Sequence, residues 1–158
     1  MTDPAVATTD SPSNRRRSRL GGYALVFDGA DRILLCRLST VGVEPGRWMI
    51  PGGGVDFGEH PDATVLRELR EETGLSGEIS GIEGVFSHLY PNSPYSDGED
   101  LHFMGILYRV RITGGELTDE ADGTTDQCAW FGRDEIRNVP VVGLARFAID
   151  LVWPGALA

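Results

Sequence analysis

The segment from residue 53 to residue 75, GGVDFGEHPDATVLRELREETGL, constrains the fold of this chain more than any other part of its sequence. Pro61 suits the first position of an α-helix, and Gly74 suits the position just past its end. We therefore predict a helix from about Pro61 to Thr73. A helix with one apolar face must cover a sheet or another apolar layer, so this segment already implies a layered fold.

The predicted helix carries like charges beside its apolar stripe. With roughly 100° of turn per residue, the stripe spans roughly 200° to 300° and three glutamates span roughly 80° to 180°. The stripe consists of Val65, Leu66 and Leu69, and the glutamates are Glu68, Glu71 and Glu72. Side chains three and four residues apart are neighbours on a helix, so these carboxylates repel one another. Their repulsion increases at the edge of a core, where water screens charges less.

Two interpretations of this acidic arc stay open. In the first, it is a solvated face whose partners are Arg67 and Arg70, with Arg67 within reach of Glu71. In the second, it is a metal site. Carboxylates near a helix C-terminus also oppose the helix dipole. A bound Mg²⁺ would relieve both this opposition and the repulsion among the carboxylates. This ion takes oxygen ligands from one or two carboxylates and from substrate phosphates.

Composition limits the classes of partner. The 158 residues suit one domain with a substantial core. A net charge of −10 argues against binding a nucleic acid polymer or an anionic membrane surface. All fourteen basic residues are arginine, which excludes lysine-dependent chemistry. No long apolar run or signal-peptide core is present, so we predict a cytoplasmic protein without a membrane span.

The ends and the cysteines give further predictions. Residues 1–18 are poor in large apolar side chains, so we predict a disordered tail before a single domain at 19–158. The run from Arg15 to Arg17 is interpreted as solvated charge that can be removed without loss of activity. Cys36 and Cys128 lie in apolar segments and are predicted to be reduced core residues.

The rest of the chain favours strands. Two apolar runs flank Asp28-Gly29-Ala30-Asp31, which predicts a hairpin. Further strands are predicted at 48–50, 76–90, 101–113 and 128–131. Residues 91–100 have the composition of an exposed loop. A final amphipathic helix is predicted over 142–153. Strands interrupted by one helix and closed by another predict an α/β fold, in which a mixed sheet lies between helices.

The helix segment also matches a known family signature. Gly53, Glu59, Arg67-Glu68-Leu69, Glu71-Glu72 and Gly74-Leu75 fill all of its fixed positions at the required spacing, and the segment resembles the Nudix hydrolases. The resemblance extends upstream to Trp48-Met49-Ile50-Pro51-Gly52 and downstream to Trp130-Phe131. It implies a Nudix-type α/β/α sandwich and a hydrolase, dependent on Mg²⁺ or Mn²⁺, that cleaves the pyrophosphate of a nucleoside diphosphate linked to another group.

The resemblance also implies roles for individual residues. Glu68 and Glu72 would be the primary metal ligands, Glu71 a further ligand or water-orienting group, and the Gly52 carbonyl another ligand. Glu59 would reach the metal shell or orient Arg67, which is predicted to pair with glutamates rather than with substrate. Gly53 and Gly74 would have geometric roles in tight backbone.

The general base and the substrate contacts stay open. The base would be a glutamate of the signature, such as Glu68 or Glu71, or an acid of a later loop. The later candidates are Glu99, Asp100, Glu120, Asp122 and Asp126, and we favour Glu99 because its loop is long and joins two strands. Candidate substrate contacts are Arg37 for a phosphate and Trp48 and Tyr90 for a base, although Trp48 suits the core better. The three histidines show no metal-ligand spacing.

Several alternatives remain for the whole protein. The substrate would be ADP-ribose or a nucleotide sugar, a (d)NTP, or a dinucleotide. A catalytically silent nucleotide-binding module is the rival function, and a purely structural acidic helix is a second one. A homodimer is expected by analogy with relatives.

Overall fold

The computed structural model describes residues 15–158 and contains seven strands and two α-helices in that range. The strands are β1 (Arg16–Leu25), β2 (Ile33–Leu38), β3 (Trp48–Met49), β4 (Gly52–Gly54), β5 (Leu75–Tyr90), β6 (Asp100–Gly115) and β7 (Thr125–Phe131). The α-helices are α1 (Pro61–Thr73) and α2 (Gly143–Val152), and short 3-10 helices lie at Pro94–Ser96 and Ile136–Asn138. No helix of this range is long and apolar enough to cross a membrane.

The strands form two sheets. The larger sheet has the order β4-β1-β6-β5, in which β1 runs antiparallel to β4 and parallel to β6, and β6 runs antiparallel to β5. The smaller sheet is antiparallel, with the order β3-β2-β7. The C-terminal half of β1 and nearly all of β2 are buried on both faces. Their continuous apolar runs are those expected of strands covered by other layers on both sides.

The two helices lie on opposite sides of the strands. Val65 and Leu69 of α1 pack in one core cluster with Ala24 of β1 and with Val26, which directly follows β1. The alternate residues of β1, including Leu25, pack in the other cluster with the buried face of α2. This arrangement confirms the α/β/α sandwich with mixed strands, although the strands divide into two sheets instead of forming one.

The predicted hairpin at Asp28 to Asp31 is only partly correct. The turn forms, since Asp28 Oδ1 accepts hydrogen bonds from the Ala30 and Arg32 N–H groups, each at 2.9 Å. Beyond it, the two runs share the isolated bridge between Phe27 and Ile33 and then enter different sheets. The separation occurs because β1 pairs with β4 and β6, which come from later parts of the chain.

The predicted tail is too long at its C-terminal end. Residues 16–18 belong to β1, where Arg16 is in register with Asp100 and Arg17 with Leu101. Arg17 Nε also lies 3.0 Å from Glu99 Oε2. The parallel ladder with β6 therefore orders this charged segment, and deletion of residues 15–17 would remove part of a strand. Residues 1–14 lie outside the described residues.

The prediction of reduced cysteines is wrong in this structure. Cys36 and Cys128 face each other across the β2–β7 ladder, with their Cα atoms 4.1 Å apart, and form a disulfide. The sequence does not predict this pair, because the two residues are 92 positions apart and become neighbours only when β7 pairs with β2.

Reduction of this disulfide should destabilise the protein. Closure of a 92-residue separation restricts the unfolded chain, and such cross-links typically contribute about 2–5 kcal/mol to the free energy of unfolding. We expect a reductant to lower the thermal midpoint of the wild type but not that of the Cys36→Ser/Cys128→Ser double variant. Two titratable thiols in unreduced, denatured wild-type protein would contradict the assignment.

Candidate active site

Helix α1 is fixed at both ends as the sequence predicted. The His60 Nδ1 atom accepts a hydrogen bond from the Asp62 N–H at 3.2 Å, and Pro61 occupies the first turn. At the other end, Gly74 has φ 73°, and its N–H donates to the Arg70 carbonyl at 2.9 Å. A left-handed conformation at this position favours glycine. These caps hold the glutamates of the helix beside the short strand β4.

Glu72 is a buried carboxylate with a backbone partner. Glu72 is only 3% exposed, and its Oε2 accepts a hydrogen bond from the Gly52 N–H at 2.9 Å. The carbonyl oxygen of Glu72 also lies 3.3 Å from Cys128 Sγ. The last turn of α1 is thus in contact with both β4 and β7.

Glu68 lies directly against the backbone of β4. A Cβ atom at Gly53 would lie 2.6 Å from Glu68 Oε1, closer than real side chains approach. Any side chain at this position would displace the Glu68 carboxylate from its present place, so Gly53 allows the close approach. The Glu68 side chain is 19% exposed, whereas that of Glu71 is 54% exposed.

Arg67 connects the loop before α1 to the glutamates. Its Nε and Nη2 atoms donate to the two oxygens of Glu59 at 2.8 and 3.0 Å. Its Nη1 atom contacts Glu68 at 2.9 Å and Glu71 at 3.2 Å. The predicted pairing of Arg67 with glutamates is confirmed, and Glu59 orients Arg67. Hydrogen bonds from Arg67 and then Thr64 lower the pKa of Glu59 to about 2.

The carboxylates of the site oppose one another electrostatically. Burial raises the pKa of Glu72 well above its ordinary value, the Gly52 N–H opposes the rise, and Glu68, Glu120 and Glu71 add to it. Burial also raises the pKa of Glu68, which Arg67 opposes and Glu71 and Glu120 increase. The charged forms of these two glutamates are consequently disfavoured in the metal-free protein.

Glu120 is the acid from a later loop that the fold brings to the α1 glutamates. Its Oε2 accepts from the Thr125 hydroxyl at 2.9 Å and from the Thr125 N–H at 3.3 Å. Sequence reasoning included Glu120 among five loop acids but favoured Glu99. In the structure, Glu99 pairs with Arg17 and its carbonyl closes the 93–99 turn. The pairing of β7 with β2 selects Glu120, and no local pattern signals it.

The three predicted substrate contacts lie in different surroundings. Arg37 donates to Asp126 Oδ1 at 2.8 Å, and its guanidinium lies 6.0 Å from the Trp48 ring centroid. Trp48 is half-buried and packs edge-on against Phe131 at 4.9 Å. Both residues belong to the smaller sheet, whereas Tyr90 ends β5 at the edge of the larger sheet.

Tyr90 lies beside a hydrogen-bonded turn at residues 93–99. Its ring centroid lies 4.3 Å from that of His88 and 5.9 Å from that of Tyr95. The segment predicted to be an exposed loop buries Ser93 and Ser96, whose backbone and hydroxyl groups hydrogen-bond within it. The aromatic strip of His88, Tyr90 and Tyr95 is therefore held on a compact support.

The donor set suits a hard divalent cation. Within residues 15–158, no three His, Cys, Asp or Glu side chains are spaced to hold a metal as they stand. In the structure, Arg67 occupies an oxygen of both Glu68 and Glu71. Glu72 is buried and Glu68 is partly buried against bare glycine backbone, and both have raised pKa values; their carboxylates are the oxygen donors that a hard divalent cation prefers.

Comparison with known proteins identifies the family. A family model described as the NUDIX domain matches residues 17–148. This range includes both helix α1 and Glu120. The chain belongs to the Nudix family. The match covers most of the chain, so the signature of α1 lies in the sequence context that is typical of the family.

Individual Nudix proteins show the same likeness. A putative mutator protein MutT4 of Mycobacterium tuberculosis is 33% identical, with 87% of this chain and 60% of that protein covered. A putative 8-oxo-dGTP diphosphatase of Bacillus subtilis is 34% identical, with 66% and 59% covered. The chain thus spans about 60% of the length of these relatives. The crystal structure of a MutT Nudix hydrolase from Burkholderia pseudomallei has TM-score 0.72 and 28% identity, with 86% of this chain and 98% of that chain covered.

The Glu72→Gln variant should show the cost of the buried charge. Because the pKa of Glu72 is raised in the folded, metal-free protein, its protonated form contributes fully to stability at low pH. This contribution is lost as the pH rises through the folded-state pKa of Glu72. Glutamine cannot ionise but can still accept from the Gly52 N–H. We expect the free energy of unfolding of the variant in EDTA to exceed that of the wild type increasingly as pH rises.

Urea denaturation across pH 5 to 9 would measure this difference. A variant that is less stable than the wild type at every pH would show that Glu72 is not under electrostatic strain.

Proposed function

We propose that this Nudix protein hydrolyses the pyrophosphate bond of a nucleoside diphosphate linked to another group, with Mg²⁺ or Mn²⁺ as cofactor. The observation that carries the proposal is the convergence of Glu71 and Glu120 on the more buried pair Glu68 and Glu72, whose charged forms they disfavour further. Such a cluster is unfavourable without a cation and is suited to binding a substrate with several negative charges through one.

Glu68 and Glu72 would hold the metal, together with the Gly52 carbonyl, and Glu71 would be a further ligand or would orient a water molecule. A bound metal would neutralise negative charge on the phosphoryl group that is transferred. Metal binding would require Glu68 and Glu71 to leave Arg67, whereas the bidentate contact of Arg67 with Glu59 could remain. Glu59 therefore holds the arginine in place beside the cluster.

Glu120 is the group that we favour as general base among the loop acids. It lies within electrostatic range of Glu68 and Glu72, and the Thr125 hydroxyl fixes one of its oxygens. The other oxygen is left to accept a proton from water. The sequence favours Glu99, but in the structure its carboxylate is engaged by Arg17 at 3.0 Å. A role for Glu68 or Glu71 as base stays a second candidate.

Two classes of substrate are compatible with the proposed reaction. The likeness to the putative 8-oxo-dGTP diphosphatase of Bacillus subtilis supports a (d)NTP-type substrate. The turn at 91–99 and the aromatic strip beside it support a nucleoside held by stacking, which suits ADP-ribose or a nucleotide sugar equally. Tyr90 is the preferred stacking residue, since Trp48 packs on Phe131 and Arg37 pairs with Asp126. A screen of Mg²⁺-dependent hydrolysis over both classes, with identification of both products, would test the proposal.

A silent nucleotide-binding module is the rival. It would bind nucleotide without turnover, so the same screen distinguishes the two functions. The expected homodimer stays a prediction, and sedimentation analysis would test it.

Substitution of a primary ligand should abolish turnover without unfolding the protein. We expect Glu72→Gln to lower kcat by about 100-fold or more, because the metal loses a charged ligand at the reaction centre. The matched control is Glu78→Gln, an exposed acid of β5 whose partner Arg111 lies on β6. Wild-type turnover in the Glu72 variant would refute the ligand assignment.

Paired variants should distinguish the two loop acids. We expect Glu120→Gln to lower kcat by about 100-fold. Glu99→Gln should leave kcat close to wild type, because Glu99 is engaged by Arg17. The reverse pattern would restore Glu99 as the base.

A further inference from the structure

We infer that Arg19 forms a phosphate-binding subsite on the opposite side of β4 from the carboxylates. The ligand would be a phosphate oxyanion of a nucleoside diphosphate, so the inference rests on the proposed function and specifies how the substrate is held. Arg19 lies in β1 and was not among the residues that the sequence singled out.

Strand β4 has no side chains, and charged groups approach it from two directions. A Cβ atom at Gly53 would lie 2.6 Å from Glu68 Oε1. A Cβ atom at Gly54 would lie 2.9 Å from Arg19 Nη2 and 3.1 Å from Arg19 Nε. Successive side-chain directions alternate across a strand. The carboxylate and the guanidinium thus lie on opposite faces of the same bare strand.

The position of β4 makes both groups accessible to one ligand. It is the edge strand of the larger sheet and pairs with β1 alone in that sheet. A substrate that passes over this edge can contact the carboxylate side and the Arg19 side without crossing a layer of side chains. The Tyr23 hydroxyl also lies within electrostatic range of Arg19, Glu72 and Glu68, which places all of these groups around one region.

Arg19 has an unpaired charge at the edge of β4. It is exposed, and within residues 15–158 it forms no ion pair. Four other arginines have acidic partners: Arg17 pairs with Glu99, Arg37 with Asp126, Arg47 with Glu44, and Arg67 with Glu59, Glu68 and Glu71. In a chain of net charge −10, an arginine without an acidic partner beside bare backbone is a suitable ligand for a phosphate, which its planar guanidinium matches.

The register of the sheet continues this subsite into the aromatic strip. Arg19 is paired in register with Phe103, and Phe103 with His88. Paired residues of neighbouring strands lie on the same face. A phosphate on Arg19 would therefore place the attached nucleoside along the face that carries His88 and Tyr90, where the rings lie 4.3 Å apart.

Three variants test the subsite. Arg19→Gln removes the charge. Gly54→Ala keeps the charge but places a methyl group where the guanidinium lies, so it should displace Arg19. Arg137→Gln changes the net charge equally at an exposed position in the 3-10 helix Ile136–Asn138 and serves as the control. Circular dichroism would show whether each variant is folded. If Gly54→Ala does not fold, Arg19→Gln is sufficient to test the subsite.

The measurement is calorimetric titration of the full chain with ADP and with inorganic pyrophosphate, with and without Mg²⁺. We expect Arg19→Gln and Gly54→Ala to weaken binding of both probes by about tenfold or more, and Arg137→Gln to leave it unchanged. Where turnover occurs, KM should rise more than kcat falls, because Arg19 binds the substrate and does not take part in bond cleavage.

The outcomes separate this inference from the proposed function. Wild-type affinity in Arg19→Gln would overturn the subsite even if hydrolysis proceeds normally, as would failure of the wild type to bind either probe. Weakened ADP binding in the Arg19 variants of a protein that hydrolyses nothing would support the subsite and overturn the hydrolase.

Discussion

The structure depends on a set of carboxylates that repel one another and are nevertheless held together. Glu72 is buried and accepts a single backbone hydrogen bond from Gly52, and Glu68 lies against Gly53 with no room for a side chain between them. Carboxylates buried in this way favour protonation or a cation. The helix caps, the glycine strand and the Arg67–Glu59 pair all maintain this unfavourable arrangement, which is typical of sites that act on charged substrates.

The sandwich supplies the rigidity that this arrangement requires. Helix α1 is packed through Val65 and Leu69 on strands that are buried from both sides, so its glutamate-bearing face cannot rotate away from β4. The disulfide between β2 and β7 adds a covalent link next to the last turn of the helix, at the Glu72 carbonyl. Glu120 reaches the cluster because the segment before β7 is tied to that strand through Thr125.

Local signals predicted the parts of the molecule that are determined locally. The limits of α1 followed from Pro61 and Gly74, and the pairing of Arg67 with glutamates followed from helical spacing. The family signature identified α1 as the helix of the candidate site because its residues lie close together in sequence. The remaining features depend on contacts distant in sequence: the two separate sheets, the Cys36–Cys128 pair, and the position of Glu120 near Glu68 and Glu72. The sequence does not indicate a role for Arg19, because that role depends on the close approach of its guanidinium to the backbone at Gly54. This approach is a contact between two strands, and no local pattern predicts it.

Anomalous diffraction from a crystal soaked with Mn²⁺ and ADP tests the central claim most directly. The account predicts a manganese peak at bonding distance from Glu68 and Glu72, with the Arg67 contacts to Glu68 and Glu71 broken and its contact with Glu59 retained. Well-ordered density for ADP with no manganese beside these carboxylates, and with Arg67 unmoved, would contradict it.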